Sequence, residues 1–79
     1  MVTLEISYYP LSDNYNQPVT EFIAALQTEP GIKIEPGNMS SLITGDYDRV
    51  MDALKQAMGE VMQNHASVFN IKISNACPV

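Results

Sequence analysis

The sequence predicts an α+β fold in which four strands and two helices follow the order βαββαβ. Three observations support this prediction. Apolar and polar residues alternate near both ends of the chain, two interior stretches have the three- and four-residue spacing of amphipathic helices, and turns containing Pro and Gly separate the segments. The length of 79 residues suits one small core, so we predict a single domain over residues 1–79.

The first half of the chain predicts strand, helix and strand. Residues 2–9, VTLEISYY, alternate and are rich in β-branched and aromatic residues, which is typical of a half-buried strand. Pro10 ends this strand, and a polar loop leads to Pro18. A proline suits the first turn of a helix, because its missing N–H would have no partner there. We expect this helix to end near Thr28 and residues 32–35, IKIE, to form a short strand.

The second half predicts strand, helix and strand. Residues 39–44 and 67–74 have strand patterns, and Asp46 between them suits a helix N-cap whose carboxylate accepts from free backbone N–H groups. This helix should end near Asn64. Its apolar face comprises Val50, Met51, Leu54, Ala57, Met58, Val61 and Met62. Thioether side chains fill irregular gaps, so we expect the three methionines of this face to pack in the core.

This element order is the ferredoxin-like arrangement, a sandwich in which both helices cover one face of an antiparallel four-stranded sheet. In the last strand, Phe69, Ile71 and Ile73 should point towards the helices. Ile71, like Ile6 of the first strand, is expected to serve folding. The opposite face of the sheet, here called the open face, is predicted to carry Thr3, Glu5, Ser7, Tyr9, Lys33, Glu35, Ser40, Leu42, Thr44, Val68, Asn70 and Lys72.

Charge and composition exclude several classes of function. The net charge of -5 argues against a nucleic-acid binder, which needs clustered Lys and Arg. No stretch approaches the roughly 18 apolar residues of a membrane span. The first residues enter a strand pattern without a basic leader, so we expect a cytoplasmic protein. The single Cys77 excludes an internal disulfide framework and a zinc site built from several cysteines.

No set of residues predicts a catalytic or metal site. Asp46 and Asp48 are explained by a helix start, where negative charge is favourable. His65 has no partner in the sequence that would indicate a catalytic triad or a metal site. The glycines form no phosphate-binding motif. We therefore expect a protein that is not an enzyme and needs no cofactor or metal.

The open face is the candidate site, because Glu5, Ser7, Thr44 and Asn70 project together from neighbouring strands. Two interpretations remain open. These residues form an ordinary solvated sheet face, or they hold a polar, planar ligand between this face and a second copy of the domain. In the second case Glu5 accepts from an amino-heterocycle, Ser7 and Asn70 donate or accept, and Tyr9 stacks on the ring.

Four segments resemble the YkoF-like thiamine/hydroxymethylpyrimidine-binding family: EISYYPLSDNY, VTEFIAAL, NMSSLITGDYDRVMDAL and VFNIKI. The resemblance implies a ferredoxin-like fold without catalysis, which binds thiamine or its hydroxymethylpyrimidine moiety in salvage or transport of the vitamin. Family members of the YkoF type carry tandem copies of the domain. The resemblance therefore implies that this chain reproduces the tandem arrangement by self-association, as a homodimer or homotetramer.

Together with the resemblance, the pattern predicts a ligand site on the open face or between subunits. We expect it to contain Glu5, Ser7, Tyr9, Met39, Ser40, Thr44 and Asn70. If these residues do not bind, the next candidate is the loop at residues 12–17 packed against Asp46 and Tyr47. The competing hypothesis is an interaction or regulatory module that oligomerises through the open face and has no small-molecule ligand.

Overall fold

The computed structural model describes residues 1–11, 13–37 and 39–76. Its elements are β1 (Val2–Pro10), α1 (Asn16–Leu26), β2 (Ile32–Pro36), β3 (Ser41–Gly45), α2 (Tyr47–Asn64) and β4 (Ser67–Ser74). The strands form one antiparallel sheet in the order β2-β3-β1-β4. The predicted ferredoxin-like α+β fold is therefore confirmed. The prediction about Cys77 lies outside the described residues.

The core forms where the alternating apolar residues of the sheet meet the two helices. Leu4 of β1 is paired with Ile43 of β3 on one side and with Ile73 of β4 on the other. Paired residues of antiparallel strands project to the same face, so these side chains point towards the helix layer. The buried core comprises Val2, Leu4, Ile6, Phe22, Leu26, Ile43, Val50, Ala53, Leu54, Ala57 and Val61.

Three aromatic rings join α1 to the end of the sheet. The ring of Tyr8 lies edge-on to that of Phe22 at 5.3 Å between centroids, and it stacks on Phe69 at 4.5 Å. The hydroxyl of Tyr8 also shares a 2.9 Å hydrogen bond with Ser67 Oγ. Aromatic pairs of this kind add about 0.5–1.5 kcal/mol beyond their buried area. This cluster fixes α1 over the paired strands β1 and β4.

The prediction that the three methionines of α2 lie in the core is wrong for two of them. Met51 is 37% exposed and Met62 is 53% exposed, whereas Met58 is partly buried against the core. In β4, Ile71 and Ile73 point towards the helix layer as predicted, but they remain 39% and 46% exposed. The reason is that β4 is an edge strand, and α2 packs with its other side against α1 and the centre of the sheet.

The start of α2 differs from the prediction in its chemistry. Asp46 occupies the N-cap with extended backbone angles, and its carbonyl accepts a 2.9 Å hydrogen bond from the N–H of Val50. Its carboxylate makes no capping hydrogen bond. Asp48 lies in the first turn, as predicted. The predicted side-chain cap is therefore wrong, although the helix begins where the sequence indicates.

Two boundaries differ by two residues from the predicted ones. The first helix ends at Leu26, and the hydroxyl of Thr28 donates to the carbonyl of Ala25 at 2.7 Å, which completes the last turn. Strand β3 begins at Ser41 because the turn before it is closed by a 2.9 Å hydrogen bond from the N–H of Gly37 to the carbonyl of Ser40.

Within the described ranges, no helix is long and apolar enough to cross a membrane.

Candidate functional site

Polar residues of neighbouring strands form a row across the open face. Ser7 of β1 is paired with Asn70 of β4. On the other side of β1, Ile6 is paired with Ser41, so Ser40 immediately before β3 lies beside Ser7. Because opposite residues share a face, Ser40, Ser7 and Asn70 line up on the open face. The pairing thus brings together three of the seven predicted site residues.

Glu5 lies next to this row and contacts Ser40, which belongs to the row, and Lys72, which does not. Its Oε2 accepts a hydrogen bond from Ser40 Oγ at 3.1 Å, and its Oε1 lies 3.9 Å from Lys72 Nζ. It also lines an open depression of about 190 Å³ on this face. An ionised carboxylate has about four acceptor positions. Glu5 is half-exposed and retains acceptor capacity for an N–H donor of a ligand.

Tyr9 and Thr44 lie on the same face at opposite ends. Tyr9 is paired with Val68, two residues beyond Ser7 along β1, and its ring is half-exposed. Thr44 is paired with Thr3, four residues before Ser7. At about 3.3 Å per residue that separation is about 13 Å, which exceeds the width of a single heteroaromatic ring. A ring beside Ser7 would therefore lie within reach of Tyr9 and not of Thr44.

Met39 adjoins a cleft on the helix side of the sheet, and this places it apart from the row of polar residues. The cleft has a volume of about 120 Å³ and is lined by Ile6, Tyr8, Val19, Phe22, Ile23, Gly37, Met39, Ser40 and Ser41. Ser40 lines this cleft and also donates to Glu5. It is the one predicted site residue found in both places. Met39, predicted to share a site with the open-face residues, therefore lies at a separate cleft.

The sequence did not reveal the cleft or the hydrogen-bond contact between His65 and Glu21. Pairing of β3 with β1 turns Ser41 towards the helices, and this follows from strand alternation only once the start of β3 is known. The Nε2 of His65 lies 2.9 Å from Oε2 of Glu21, 44 positions apart in sequence. No sequence signal links those two residues, because the contact depends on how α1 packs beside the end of α2.

Charge on the open face is largely paired. Lys33 and Glu35 of β2 form an exposed ion pair at 2.9 Å. The hydrogen bond to Glu35, and then the negative charge of that carboxylate, raise the pKa of Lys33 above its ordinary value. Among the residues that the structure describes, no three His, Cys, Asp or Glu side chains are grouped so as to hold a metal ion.

The loop that was the second candidate does not reach its predicted neighbours. The described residues 13–15 follow the Pro10 end of β1, whereas Asp46 and Tyr47 follow the strand end at which Gly45 pairs with Val2. Eight residue steps along β1, about 26 Å, separate these two ends of the sheet. The predicted packing of this loop is wrong, and Ser12 of the loop lies outside the described residues.

Solved structures with the same fold come from several organisms. A hypothetical protein from Methanocaldococcus jannascii is 25% identical with a TM-score of 0.85, over 99% of this chain and 82% of that chain. A domain of unknown function from Bacillus cereus is 26% identical with a TM-score of 0.77, over 92% and 73%. A candidate thiamine biosynthesis/salvage protein from Thermotoga maritima is 21% identical with a TM-score of 0.80, over 92% and 81%, which shows the fold alone.

Family assignment rests on a match that covers nearly the whole chain. No curated protein matches this sequence. The model of the family described as thiamine-binding protein matches residues 4–76, which include β1 from Leu4 onwards, every predicted site residue and β4. This chain belongs to the thiamine-binding protein family.

Proposed function

We propose that this protein binds thiamine or its hydroxymethylpyrimidine moiety without catalysing a reaction, in salvage or transport of the vitamin. Family membership supports a role related to thiamine. The observation that carries the proposed site is the hydrogen bond between Ser40 and Glu5, which orients a half-exposed carboxylate on the open face. The name of the Thermotoga maritima structure agrees with this role.

The chemistry of the ligand matches the row of polar residues. An aminopyrimidine offers an exocyclic amine as donor and a ring nitrogen as acceptor. In our proposal Glu5 accepts from the amine, and the amide of Asn70 or the hydroxyl of Ser7 donates to the ring nitrogen. Tyr9, half-exposed two residues from Ser7, supplies a face on which the ring stacks. Thr44 is outside this set because it lies too far along the strand from Ser7. Met39 is outside it because it adjoins the cleft on the helix side of the sheet.

An open face is too flat to enclose a ligand, so the proposal includes a second copy of the chain. Tyr9, Leu42 and Val68 expose apolar surface on this face. Covering apolar surface contributes roughly 25 cal/mol per Å². A second copy that covers these residues would exclude water from the ring, as expected for a site with apolar walls and few polar contacts. We propose a homodimer or homotetramer on this basis.

Binding without catalysis is the simplest use of these groups. The contacts of Glu5 are a hydroxyl and an ammonium group. Neither supplies the second carboxylate or imidazole that general acid–base catalysis commonly uses. In our proposal Glu5 therefore fixes the orientation of the ligand and transfers no proton.

The test is calorimetric titration with thiamine, hydroxymethylpyrimidine and the thiazole alcohol separately. We expect the first two to bind and the third to fail, because the amine is on the pyrimidine. A charged hydrogen bond contributes about 1.5–3 kcal/mol, so Glu5→Gln should weaken binding by about one to two decades. Glu35→Gln is the matched control, since it removes the same charge from the same face without touching Ser40.

Two outcomes would contradict the proposal. If Glu5→Gln and Asn70→Ala bind both ligands as the parent does, while circular dichroism shows an intact fold, the site lies elsewhere and the cleft beside Met39 becomes the candidate. If the folded parent binds none of the three compounds at millimolar concentration, the alternative function is favoured. In that alternative the open face serves only as an oligomerisation surface of a regulatory or interaction module.

A further inference from the structure

The two helices form a groove on the outer side of the helix layer, which faces away from the sheet. We call it the helix groove, and its volume is about 520 Å³. It lies on the opposite side of the molecule from the open face, so a second copy on the open face would leave it uncovered. Both helices line it, chiefly with Glu21, Ala24, Ala25, Glu60, Val61 and Asn64.

The helix groove has a negative electrostatic character. Glu21 and Glu60 line it, and among the described residues that line it none is Lys or Arg. Oε2 of Glu21 lies 2.9 Å from Nε2 of His65, which holds this carboxylate beside the groove. None of the ion pairs among the described residues involves Glu60. The last turn of α2 borders the groove without a basic residue, so the partial negative charge of the helix end adds to that of the carboxylates.

Gly59 of α2, next to Glu60, has no structural reason to be glycine within the described part of the chain. Its φ is not positive, so its backbone conformation is open to other residues. A Cβ atom added there would meet nothing within 4 Å, so no neighbour requires the small side chain. Glycine in a helix interior is less stable than alanine. Its value at this exposed position is the close approach that it allows to another backbone.

The groove and Gly59 together cover more surface than a small molecule would contact. Along α1 the groove extends from Glu21 to Thr28, which is two helical turns or about 10.5 Å. Gly59 differs from Glu60 by about 100° around α2, so it lies beyond the rim of the groove on the outer surface of the helix. An occupant that uses both features must extend over α2, as a packed helix does.

We propose that the helix groove docks a helix of a partner protein, with an arginine of that helix between Glu21 and Glu60 and its backbone over Ala24 and Gly59. Arginine fits better than lysine, because its planar guanidinium carries five N–H donors and can contact two carboxylates at once. Arginine is also enriched at protein interfaces, where lysine is depleted.

The partner is a different protein, because the complementarity is one of opposite charge. A second copy would present its own acidic groove and would be repelled. The net charge of -5 also attracts a basic partner from a distance. This interaction lies on the other side of the sheet from the proposed ligand site and does not depend on the proposed ligand.

An NMR titration with defined probes tests this surface. The probe is an alanine-based peptide of about 20 residues with arginine at every fourth position, which is long enough to be helical in water. A peptide with glutamate at the same positions and the small cation spermidine are the comparisons. We expect the arginine peptide to shift the backbone amide signals of Ala24, Ala25, Gly59 and Asn64 saturably, and the glutamate peptide to leave them unchanged.

Four results of this titration would overturn the proposal. They are the absence of saturable shifts with the arginine peptide, an equal response to the glutamate peptide, shifts confined to the open face, and spermidine binding at the same signals with equal affinity. The last of these would indicate a site for small cations in place of a docking surface.

Two glutamate variants separate the groove from the overall charge. Glu60→Gln removes a groove carboxylate and should weaken binding of the arginine peptide about fivefold, the upper range for an exposed ion pair. Glu35→Gln removes the same charge from the open face and should leave the affinity unchanged. If both variants weakened binding equally, the peptide would respond only to the net charge, and the proposal would fail.

A substitution of Gly59 separates docking from folding. Gly59→Gln places a better helix former in open space, so it should raise the Tm. Its longer side chain should keep the backbone of the arginine peptide away from α2 and lower the affinity. A purely structural role of this position would change the Tm alone. A variant that is more stable than the parent and binds the peptide equally well would overturn the proposal.

Discussion

At the scale of single residues, exposure separates side chains that look equivalent in the sequence. Ile43 and Met62 are both apolar and both fit the pattern of their element. Ile43 is 0% exposed and Met62 is 53% exposed. Ile43 lies between β1 and β2 and faces the helices, whereas Met62 lies on an exposed part of α2. Their contributions to folding should differ accordingly.

We expect Ile43→Ala to lower the free energy of unfolding by about 2–5 kcal/mol, since it removes buried methyl groups and leaves a cavity. Met62→Ala should lower it by less than about 1 kcal/mol in the monomer, because much of the side chain is already in water. Urea denaturation of both variants and the parent, at the same low protein concentration, checks this. Equal losses would show that Met62 packs in the core after all.

Alternation along strands made the open face predictable residue by residue. Glu5, Ser7, Tyr9, Thr44 and Asn70 lie on the face that the period-two pattern gave them. What the pattern could not give is distance along that face. The separation of Thr44 from Ser7 depends on the register between β1 and β3, and no turn sequence sets that register because these two strands are not consecutive in the chain. A shift of one residue in that register would move every β3 side chain to the other face.

At the scale of elements, α2 shows which helix signals are informative. Its boundaries agree with the predicted ones, since Asp46 and Asn64 limit the apolar periodicity. The residues that α2 buries were predicted less well. Periodicity identifies the apolar arc of a helix, but it does not show which part of that arc a neighbouring helix covers. Here α2 packs towards α1, which buries the alanines and exposes Met51 and Met62. Packing between elements, and not propensity, made this difference.

The N-cap of α2 gives a prediction at this scale. The carboxylate of Asp46 makes no capping hydrogen bond, so only its charge near the positive end of the helix stabilises α2. Asp46→Asn and Asp46→Ala should therefore cost the same to within about 0.5 kcal/mol, as measured by thermal denaturation. If the asparagine variant retained about 1 kcal/mol more than the alanine variant, a side-chain cap of the usual strength would be present in solution.

At the scale of the whole molecule, the two uncovered surfaces have different directions. The open face points perpendicular to the plane of the sheet, whereas the outer edge of β4 points outwards within that plane. Two distinct self-complementary interfaces with crossed axes generate a closed assembly of four copies. The homotetramer of our proposal would need a second interface besides the open face, whereas a homodimer would need only the open face.

Association should make thermal stability depend on protein concentration. Each tenfold dilution costs a dimer about 1.4 kcal/mol of association free energy. For two chains of this length, that corresponds to a fall of about 3–6 °C in Tm. Scanning fluorimetry of the parent over a 100-fold range of protein concentration measures this change in Tm. A Tm that stays constant across the series would indicate a folded monomer and contradict the proposed self-association.

The pairing of β1 with β4 has a consequence for the order of events during synthesis. Thr3 is paired with Ser74, so the first strand to be made has one of its two partners in the last strand. At about 5–20 residues per second, β1 waits several seconds with that side unpaired while the rest of the domain is translated. β1 then becomes a central strand in a single late step. The same step transfers the unpaired edge from β1 to β4, so the final outer edge of the sheet exists only on a finished domain.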